Sequence, residues 1–368
     1  MAELESSKSK KLVFPVVNDL NYDQRMQRIC SALANAGFDV TLIGREMKGS
    51  KPLKKRIFNQ IRLEHKVHSG KLFYLIHNWK LLLHYLKNDY DVFIANDLDT
   101  MFAGYMASVI KGKPLVYDAH EYFAELPEVV HRPLVKFVWK TLEKWTVPRT
   151  TKNYTINQSY AKFFKDAYNA NFDIIRNATV LEDKDFPEEP EDYILYQGAV
   201  NVGRGVEEMI KAMPHIDSKL IICGNGDVFD DCVNLVADLN IKDKVEFKGF
   251  VEPEKLKEYT LKARLGFTFF TNDGESYYYS LANRFFDYFH NGVPQLCVNF
   301  PEYKAINDEH NIALMLDDLE VQTIVNAVNS LFNNSEKYKE LRKNCLKARK
   351  VINWQNEEKK LIEIYNSI

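Results

Sequence analysis

GESYYYSLANRFFDYFHNGVP, residues 274–294, is the stretch that organises this chain. It follows a β-branched and aromatic run, Leu265 to Phe270, with the composition of a buried strand. A loop rich in Asn, Asp, Gly and Ser comes next, and Leu281 to Asn291 then reads as a helix. Gly292 suits the position just past its C-terminus, and Pro294 prevents continuation. Ser280 is the expected N-cap, and Ala282 is small enough to let a ligand approach the backbone. Strand, loop and helix in that order offer backbone N–H groups and a positive dipole end to an anion. Asn283, Arg284 and Asp287 are polar on a helix that otherwise buries Leu281, Phe285, Phe286 and Phe289. Arg284 suits a phosphate, and Asp287 suits a pair of sugar hydroxyls. The competing reading is a surface helix whose Arg and Asp are simply solvated.

Outward from this stretch the chain alternates strand and helix. Lys11–Val17, Val40–Gly44, Asp91–Ala95, Leu115–Tyr117, Tyr154–Asn157 and Asp173–Arg176 are expected strands, interleaved with helices such as Asp23–Ala36, Thr100–Ile110 and Arg132–Trp145. The pattern restarts with strands at Tyr193–Gln197, Leu220–Cys223, Val245–Lys248, Leu265–Phe270 and Gln295–Val298. Leu319 to Ile368 reads as helical, with Trp354 between two helices. The fold class is therefore α/β, with two doubly wound, Rossmann-like domains facing across a cleft and C-terminal helices. The expected boundaries are a disordered tail over 1–10, a first domain over 11–180 and an acidic, proline-bearing linker over 181–192. A second domain spans 193–350, and a terminal helix over 351–368 packs back on the first domain.

Composition narrows the function. A length of 368 residues suits two ordinary cores, and 46% hydrophobic with 27% charged residues is typical of a globular protein. A formal net charge of −2 gives no support for nucleic-acid binding. No apolar run approaches a membrane span and no secretory leader is visible, so a cytoplasmic setting is expected. The five cysteines are scattered, without disulfide or zinc spacing, and read as reduced core residues.

The loop after the first strand, Asn18–Tyr22, has no glycine, which argues against a dinucleotide fingerprint. Walker A, H-E-x-x-H and G-x-S-x-G are absent. Phosphate-binding chemistry is instead spread over three loops of the second half. Gly198–Gly205 sets glycines around Arg204 before a helix, Gly224-Asn225-Gly226-Asp227 leaves another strand, and the opening stretch is the third. Each alone reads more readily as a surface turn. Their strand ends belong to one sheet edge, which points to one site.

With these loops in place, the chain resembles group 1, family 4 glycosyltransferases of GT-B architecture, from Lys11 to the last helix. The strings Ile94–Thr100 and Val116–Glu121 and the triplet Ile175-Arg176-Asn177 belong to the likeness. The resemblance implies that Gly198, Arg204 and Gly205 grip a donor diphosphate. Arg204 stands where a lysine is usual, and Ala199 where a second cation is expected, for which Arg284 is the candidate replacement. The family's paired glutamates lie eight positions apart. Counting back from Gly292-Val293-Pro294 puts the second at Asp287, the expected ribose holder, and the first at Tyr279, a departure, with Glu275 as a nearby alternative. Ser280, Leu281, Ala282 and Asn283 then resemble the loop facing the sugar and phosphate. Gly224, Asn225, Gly226 and Phe250 are the candidate surroundings of the nucleotide base.

His120 resembles the family's histidine that reaches the reacting sugar, with Asp97 and Asp99 as candidates to orient an acceptor hydroxyl; a structural histidine and helix-capping aspartates are the other readings. Asp23 and Arg25 are candidates for closing the cleft. The implied reaction is retaining sugar transfer from a nucleotide diphosphate-sugar to a hydroxyl of a glycan or lipid-linked acceptor in surface polysaccharide or glycoconjugate synthesis, with neither metal nor cofactor. Arg45–Lys87 is basic and runs into an aromatic helix, which suits peripheral contact with an anionic membrane. The alternative there is a core-facing helix after a solvated loop. A sugar-nucleotide epimerase and a catalytically impaired nucleotide-sugar-binding partner remain the rival readings.

Overall fold

The structure, a computed structural model, describes residues 9–67 and 70–368. Most of the expected tail, residues 1–8, lies outside the described residues. The chain divides into two compact units, one reaching to Arg176 and including Glu357–Ile368, the other Asn177–Asn356.

The first unit is built on seven strands: β1 Lys11–Pro15, β2 Asp39–Arg45, β3 Asn59–Leu63, β4 Val92–Asn96, β5 Leu115–Ala119, β6 Lys152–Thr155 and β7 Asp173–Ile174. They pair in parallel in the order β3-β2-β1-β4-β5-β6-β7. β4 and β5 are buried along their whole length, because helices cover both faces. The helix Trp354–Asn366 brings a fully buried Tyr365 to this core, where its ring meets Phe14 at 5.9 Å and its hydroxyl pairs with that of Tyr154 at 3.2 Å.

The second unit carries β8 Glu191–Gln197, β9 Lys219–Cys223, β10 Val245–Gly249, β11 Ala263–Thr268, β12 Gln295–Val298 and β13 Ala313–Leu316. These are again parallel, in the order β10-β9-β8-β11-β12-β13. In both sheets the parallel pairing sends every strand's C-terminal end to the same edge, where loops collect functional groups.

Several expectations change. β3 occupies a segment read as a solvated loop, because NQIRL offers only Ile61 and Leu63 as an apolar face. β13 and the helix Pro301–His310 were not anticipated. The helix of the opening stretch begins at Asn283 rather than Leu281, with Ala282 as its N-cap and no side chain capping it. Ser280 is therefore not the cap; its hydroxyl donates to Tyr277 O at 2.8 Å. Gly292 does take the left-handed conformation after the helix, at φ 68°. The chain passes from one unit to the other at Arg176–Asn177, and the segment expected as a free linker is tied to the second unit. Leu181 exchanges two 2.9 Å bonds with the Gln355 side chain, Lys184 Nζ donates to Asn291 Oδ1 at 2.8 Å, and Arg349 stacks 4.9 Å from the Phe186 ring.

Candidate functional site

In the second unit, the loops leaving β8, β9 and β11 are packed against each other with no room for side chains. Gly198 N–H donates to Cys223 O at 3.0 Å, and Val200 N–H to Asn225 O at 3.1 Å. A Cβ on Gly224 would lie 1.7 Å from Gly198 O, and one on Gly226 2.1 Å from Val200 O. Gly205, at φ 69°, would place a Cβ 2.2 Å from that of Phe269. The glycines expected to cradle phosphate thus have a physical cause in loop-to-loop contact. Thr271 N–H donates to Gly203 O at 3.0 Å and joins the β11 loop to the same group.

Two guanidinium groups converge here on one ring. Arg204 Cζ lies 4.9 Å from the centroids of both Phe270 and Tyr277. Arg284 Cζ lies 4.7 Å from Phe270 and 4.9 Å from Tyr196. Arg284 is buried; its Nη2 donates to Phe269 O at 3.0 Å, and its Nη1 approaches the Cβ position of Gly198 to 3.5 Å. The Nε of each arginine is buried with no partner among the described residues. A pair of stacked, under-satisfied cations beside a glycine turn has the chemistry of a candidate anion site.

The other expected donor residues fall around this centre in different ways. Leu281 is in the hydrophobic core, and Asn283 is exposed with its Oδ1 accepting from the Asn177 amide. Ala282 N–H donates to Tyr303 Oη at 3.0 Å. Glu275 is exposed at the start of the short helix Glu275–Tyr278. Asp287 is half-buried one turn into its helix, and both carboxylate oxygens accept protein bonds, from Thr179 Oγ1 at 2.6 Å and Gln197 Nε2 at 2.9 Å. Gln197 ends β8, so Asp287 ties its helix to the strand that feeds the glycine loop. Phe250 is exposed just after β10, and Gly249 before it lies against the Asn225 side chain.

In the first unit, Asp97, Asp99 and His120 follow β4 and β5 on neighbouring strand ends. Asp97 holds φ 54° and ψ 175°, a backbone region that costs a side-chain-bearing residue about 1–3 kcal/mol. Its Oδ1 accepts the His120 backbone N–H at 2.7 Å instead of capping the helix Leu98–Lys111 that it precedes. The capping explanation therefore fails for Asp97, and for Asp99 too, because Asp99 is already inside the helix. Burial pushes the Asp99 carboxyl well above the usual carboxylate range, with Asp97 and Glu121 adding to the effect.

His120 sits in a charged cluster that only the fold assembles. Its Nε2 is 2.7 Å from Asp118 Oδ1 and 2.8 Å from Arg25 Nε, and its Nδ1 is 3.4 Å from Asp97 Oδ2. Arg25 Nη2 pairs with Asp118 at 3.0 Å, and Arg25 Nη1 donates to Ile175 O at 3.3 Å. Nε2 cannot donate to the carboxylate and accept from the guanidinium at once. Burial opposes charging the ring, but Asp118, helped by Asp97, outweighs both burial and Arg25 and raises the imidazole to about 10. The ring is an imidazolium at neutral pH. Asp118 is fully buried, and Arg25 and His120 outweigh its burial and hold its carboxyl below the ordinary range. Arg25 belongs to this cluster, whereas Asp23 is the N-cap of the helix Gln24–Asn35, accepting from Met26 N–H at 3.0 Å. The sequence reading did not single out Asp118 as a candidate, since its partner Arg25 lies 93 residues away.

The basic segment Arg45–Lys87 is folded in more than its composition suggests. Arg62 pairs with Asp19 at 2.8 Å, Arg56 donates to Gln27 Oε1 at 2.8 Å, and Arg45 stacks 4.5 Å over Phe73. Among the described residues, no group of three or more His, Cys, Asp or Glu is placed to hold a metal ion, and no helix is long and apolar enough to cross a membrane.

Comparison with known proteins adds a family. Residues 179–348 match the model of glycosyl transferases group 1, and residues 24–182 match that of glycosyltransferase family 4, which together span most of the chain. An uncharacterised glycosyltransferase of Methanocaldococcus jannaschii is 37% identical over 75 residues, 19% of each protein. The matched part is thus about a fifth of that relative's length. Among solved structures, sucrose-phosphate synthase from Thermosynechococcus elongatus superimposes with a TM-score of 0.81 at 16% identity, over 97% of this chain and 98% of that one. Anabaena HepE in complex with UDP and glucose gives 0.79 at 14% identity, over 98% and 100%. At these identities the solved structures establish the fold alone. Family models covering both units, joined to the two-sheet architecture, show that the chain belongs to the group 1, family 4 glycosyltransferases of GT-B fold.

Proposed function

We propose that the chain transfers a sugar from a nucleotide diphosphate-sugar to a hydroxyl of a glycan or lipid-linked acceptor, with retention at the anomeric carbon. The observation that carries this reading is the convergence of Arg204 and Arg284 on Phe270 beside Gly198. Two cations held off bulk water suit a diphosphate, whose negative charge grows as it leaves. Arg284 thereby stands in for the cation missing at Ala199. The uncapped start of the helix Asn283–His290 adds backbone N–H groups to the same anion. The UDP bound to HepE, a protein of the same fold, lends support to a uridine donor.

The chemistry asked of the protein is electrostatic. The anomeric carbon loses its bond to the leaving phosphate oxygen and gains one to the acceptor oxygen; the acceptor proton goes to the leaving phosphate. The donor site needs no metal in this reading, because the arginines and amides carry the countercharge. His120, charged at neutral pH, acts as a hydrogen-bond donor to the sugar rather than as a base. Nδ1, with the looser contact to Asp97, is the N–H that serves. Asp287 holds the ribose in this reading by exchanging one of its protein bonds for a sugar hydroxyl. Surface polysaccharide or glycoconjugate synthesis, at the inner face of a membrane, is the setting proposed.

The test is proton NMR of the reaction with UDP-glucose, and with GDP- and ADP-linked sugars in parallel, using alkyl glycosides as acceptors. An α-linked donor is expected to give an α-linked product. A β-linked product would overturn retention, and donor converted to another nucleotide-sugar without transfer would favour the epimerase reading.

A further inference from the structure

In the first unit, the connections β3→β4, β4→β5 and β5→β6 all step the same way across the sheet. Right-handed crossovers therefore put their helices, Gly70–Lys87, Leu98–Lys111 and Pro133–Thr146, on one face. The middle helix packs against both neighbours. Ring contacts Tyr74–Trp139 at 5.8 Å and Tyr105–Trp145 at 4.7 Å bind the third helix to the other two.

The first two helices have a buried stripe and the third a half-buried one of Val135, Trp139 and Leu142, and each turns further apolar residues to solvent. On the first helix, Phe73, His77, Leu81 and Tyr85 face inward while Leu72, Leu75, Trp79, Leu83 and Leu86 face out, with Leu75 72% and Trp79 59% exposed. The middle helix exposes Phe102, Val109 and Ile110. The third exposes Leu134, Phe137, Val138 and Trp145, with Leu134 at 79% and Phe137 at 69%. These outer residues recur on three adjacent helices of one face and so gather there, not as scattered single residues.

Charge selects the occupant. The three helices carry seven lysines, at positions 71, 80, 87, 111, 136, 140 and 144, and only two acids, Asp99 and Glu143. Both acids are buried, and Glu143 accepts the Tyr168 hydroxyl at 2.6 Å. Glu125 beside the third helix is taken up by Lys136 at 2.6 Å and Lys140 at 2.9 Å. A second copy of the chain would bring lysine against lysine across this surface. An anionic bilayer complements both the apolar stripes and the cations.

We infer that this three-helix face docks the chain on the surface of an anionic lipid bilayer, with Trp79 and Phe137 entering the interface. This surface extends the contact expected over Arg45–Lys87, whose aromatic helix is the first of the three, and it bears on the lipid-linked acceptor of the proposed function while standing apart from the donor site.

The test is flotation of the full chain with vesicles of phosphatidylcholine, with and without phosphatidylserine, alongside Trp79→Glu and Phe137→Glu. The native chain is expected to float with the anionic vesicles only, and less so at high salt. Its tryptophan emission should shift to the blue on binding. Each variant should bind about tenfold less or weaker still. Both sites are exposed, so folding and the nucleotide-induced melting shift should be unchanged, which separates a failure here from a failure of the donor site. No flotation of the native chain, equal flotation of the variants, or a dimer in light scattering that Trp79→Glu disperses without any vesicle binding would each overturn the inference.

Discussion

Arg284→Ala is expected to lower turnover about 10²–10³-fold, mostly in kcat, the size found when a single pre-organised donor to a developing oxyanion is removed. The guanidinium stacks between Tyr196 and Phe270, keeps an unpaired Nε, and reaches the backbone at Gly198. Its interaction with the leaving diphosphate strengthens as charge moves onto the phosphate, so the loss falls on the transition state more than on binding. The substitution also strips partners from Phe269 O and the Tyr196 hydroxyl, at about 1–3 kcal/mol. Arg284→Lys separates the two effects: it keeps the charge but not the planar fork, and should recover part of the rate. Steady-state kinetics beside a melting curve for each variant checks this. An alanine variant that folds and turns over within threefold of the native chain would remove Arg284 from the site.

Asp118→Asn is expected to cost about 3–5 kcal/mol, because it leaves Arg25 buried without a countercharge. Its pH dependence is more telling than its size. The native His120 is raised from 6.5 to about 10, so the stability it contributes is complete below pH 6.5 and is lost as pH climbs toward 10. Without the Asp118 carboxylate, only Asp97 is left to oppose burial and Arg25, so the ring's pKa falls below its native value. The variant should then lose less stability than the native chain as pH climbs from 6.5 toward 10. Urea unfolding followed by the first unit's tryptophans, Trp79, Trp139 and Trp145, at several pH values reads the difference. A native chain equally stable at pH 6.5 and 10 would show that the His120–Asp118 pairing is not formed. The same linkage predicts native turnover nearly flat across neutral pH, as befits a histidine that donates and does not titrate.

Much of the fold was legible because its strands announce themselves. β8, β9, β11 and β12 carry apolar runs that only a sheet covered on both faces would bury, and the glycine-proline landmark after the helix fixed its end. β3 was not legible, since only Ile61 and Leu63 of NQIRL are apolar, too few to stand out from the polar and basic residues around them. The shift of the helix start from Leu281 to Asn283 has a similar cause: Leu281 is buried by tertiary packing before the helix begins, and burial was mistaken for helical periodicity. The site was half legible. Glycines and cations near strand ends can be listed from sequence. That Arg204 and Arg284 share the Phe270 ring, or that Arg25 completes the surroundings of His120, depends on contacts between residues 80 and 95 apart, which no local pattern encodes.

The central claim, a nucleoside diphosphate site built on Arg204 and Arg284, is tested most directly by melting curves of the native chain and Arg284→Ala with UDP, GDP, ADP, CMP and NAD. Ligand that binds only the folded chain at about 100 times its Kd adds about 2.7 kcal/mol, a rise of a few degrees. One nucleoside diphosphate is expected to raise the native Tm by that amount and to have little effect on the variant. No shift with any nucleoside diphosphate at millimolar concentration, or an equal shift in Arg284→Ala, would contradict the account.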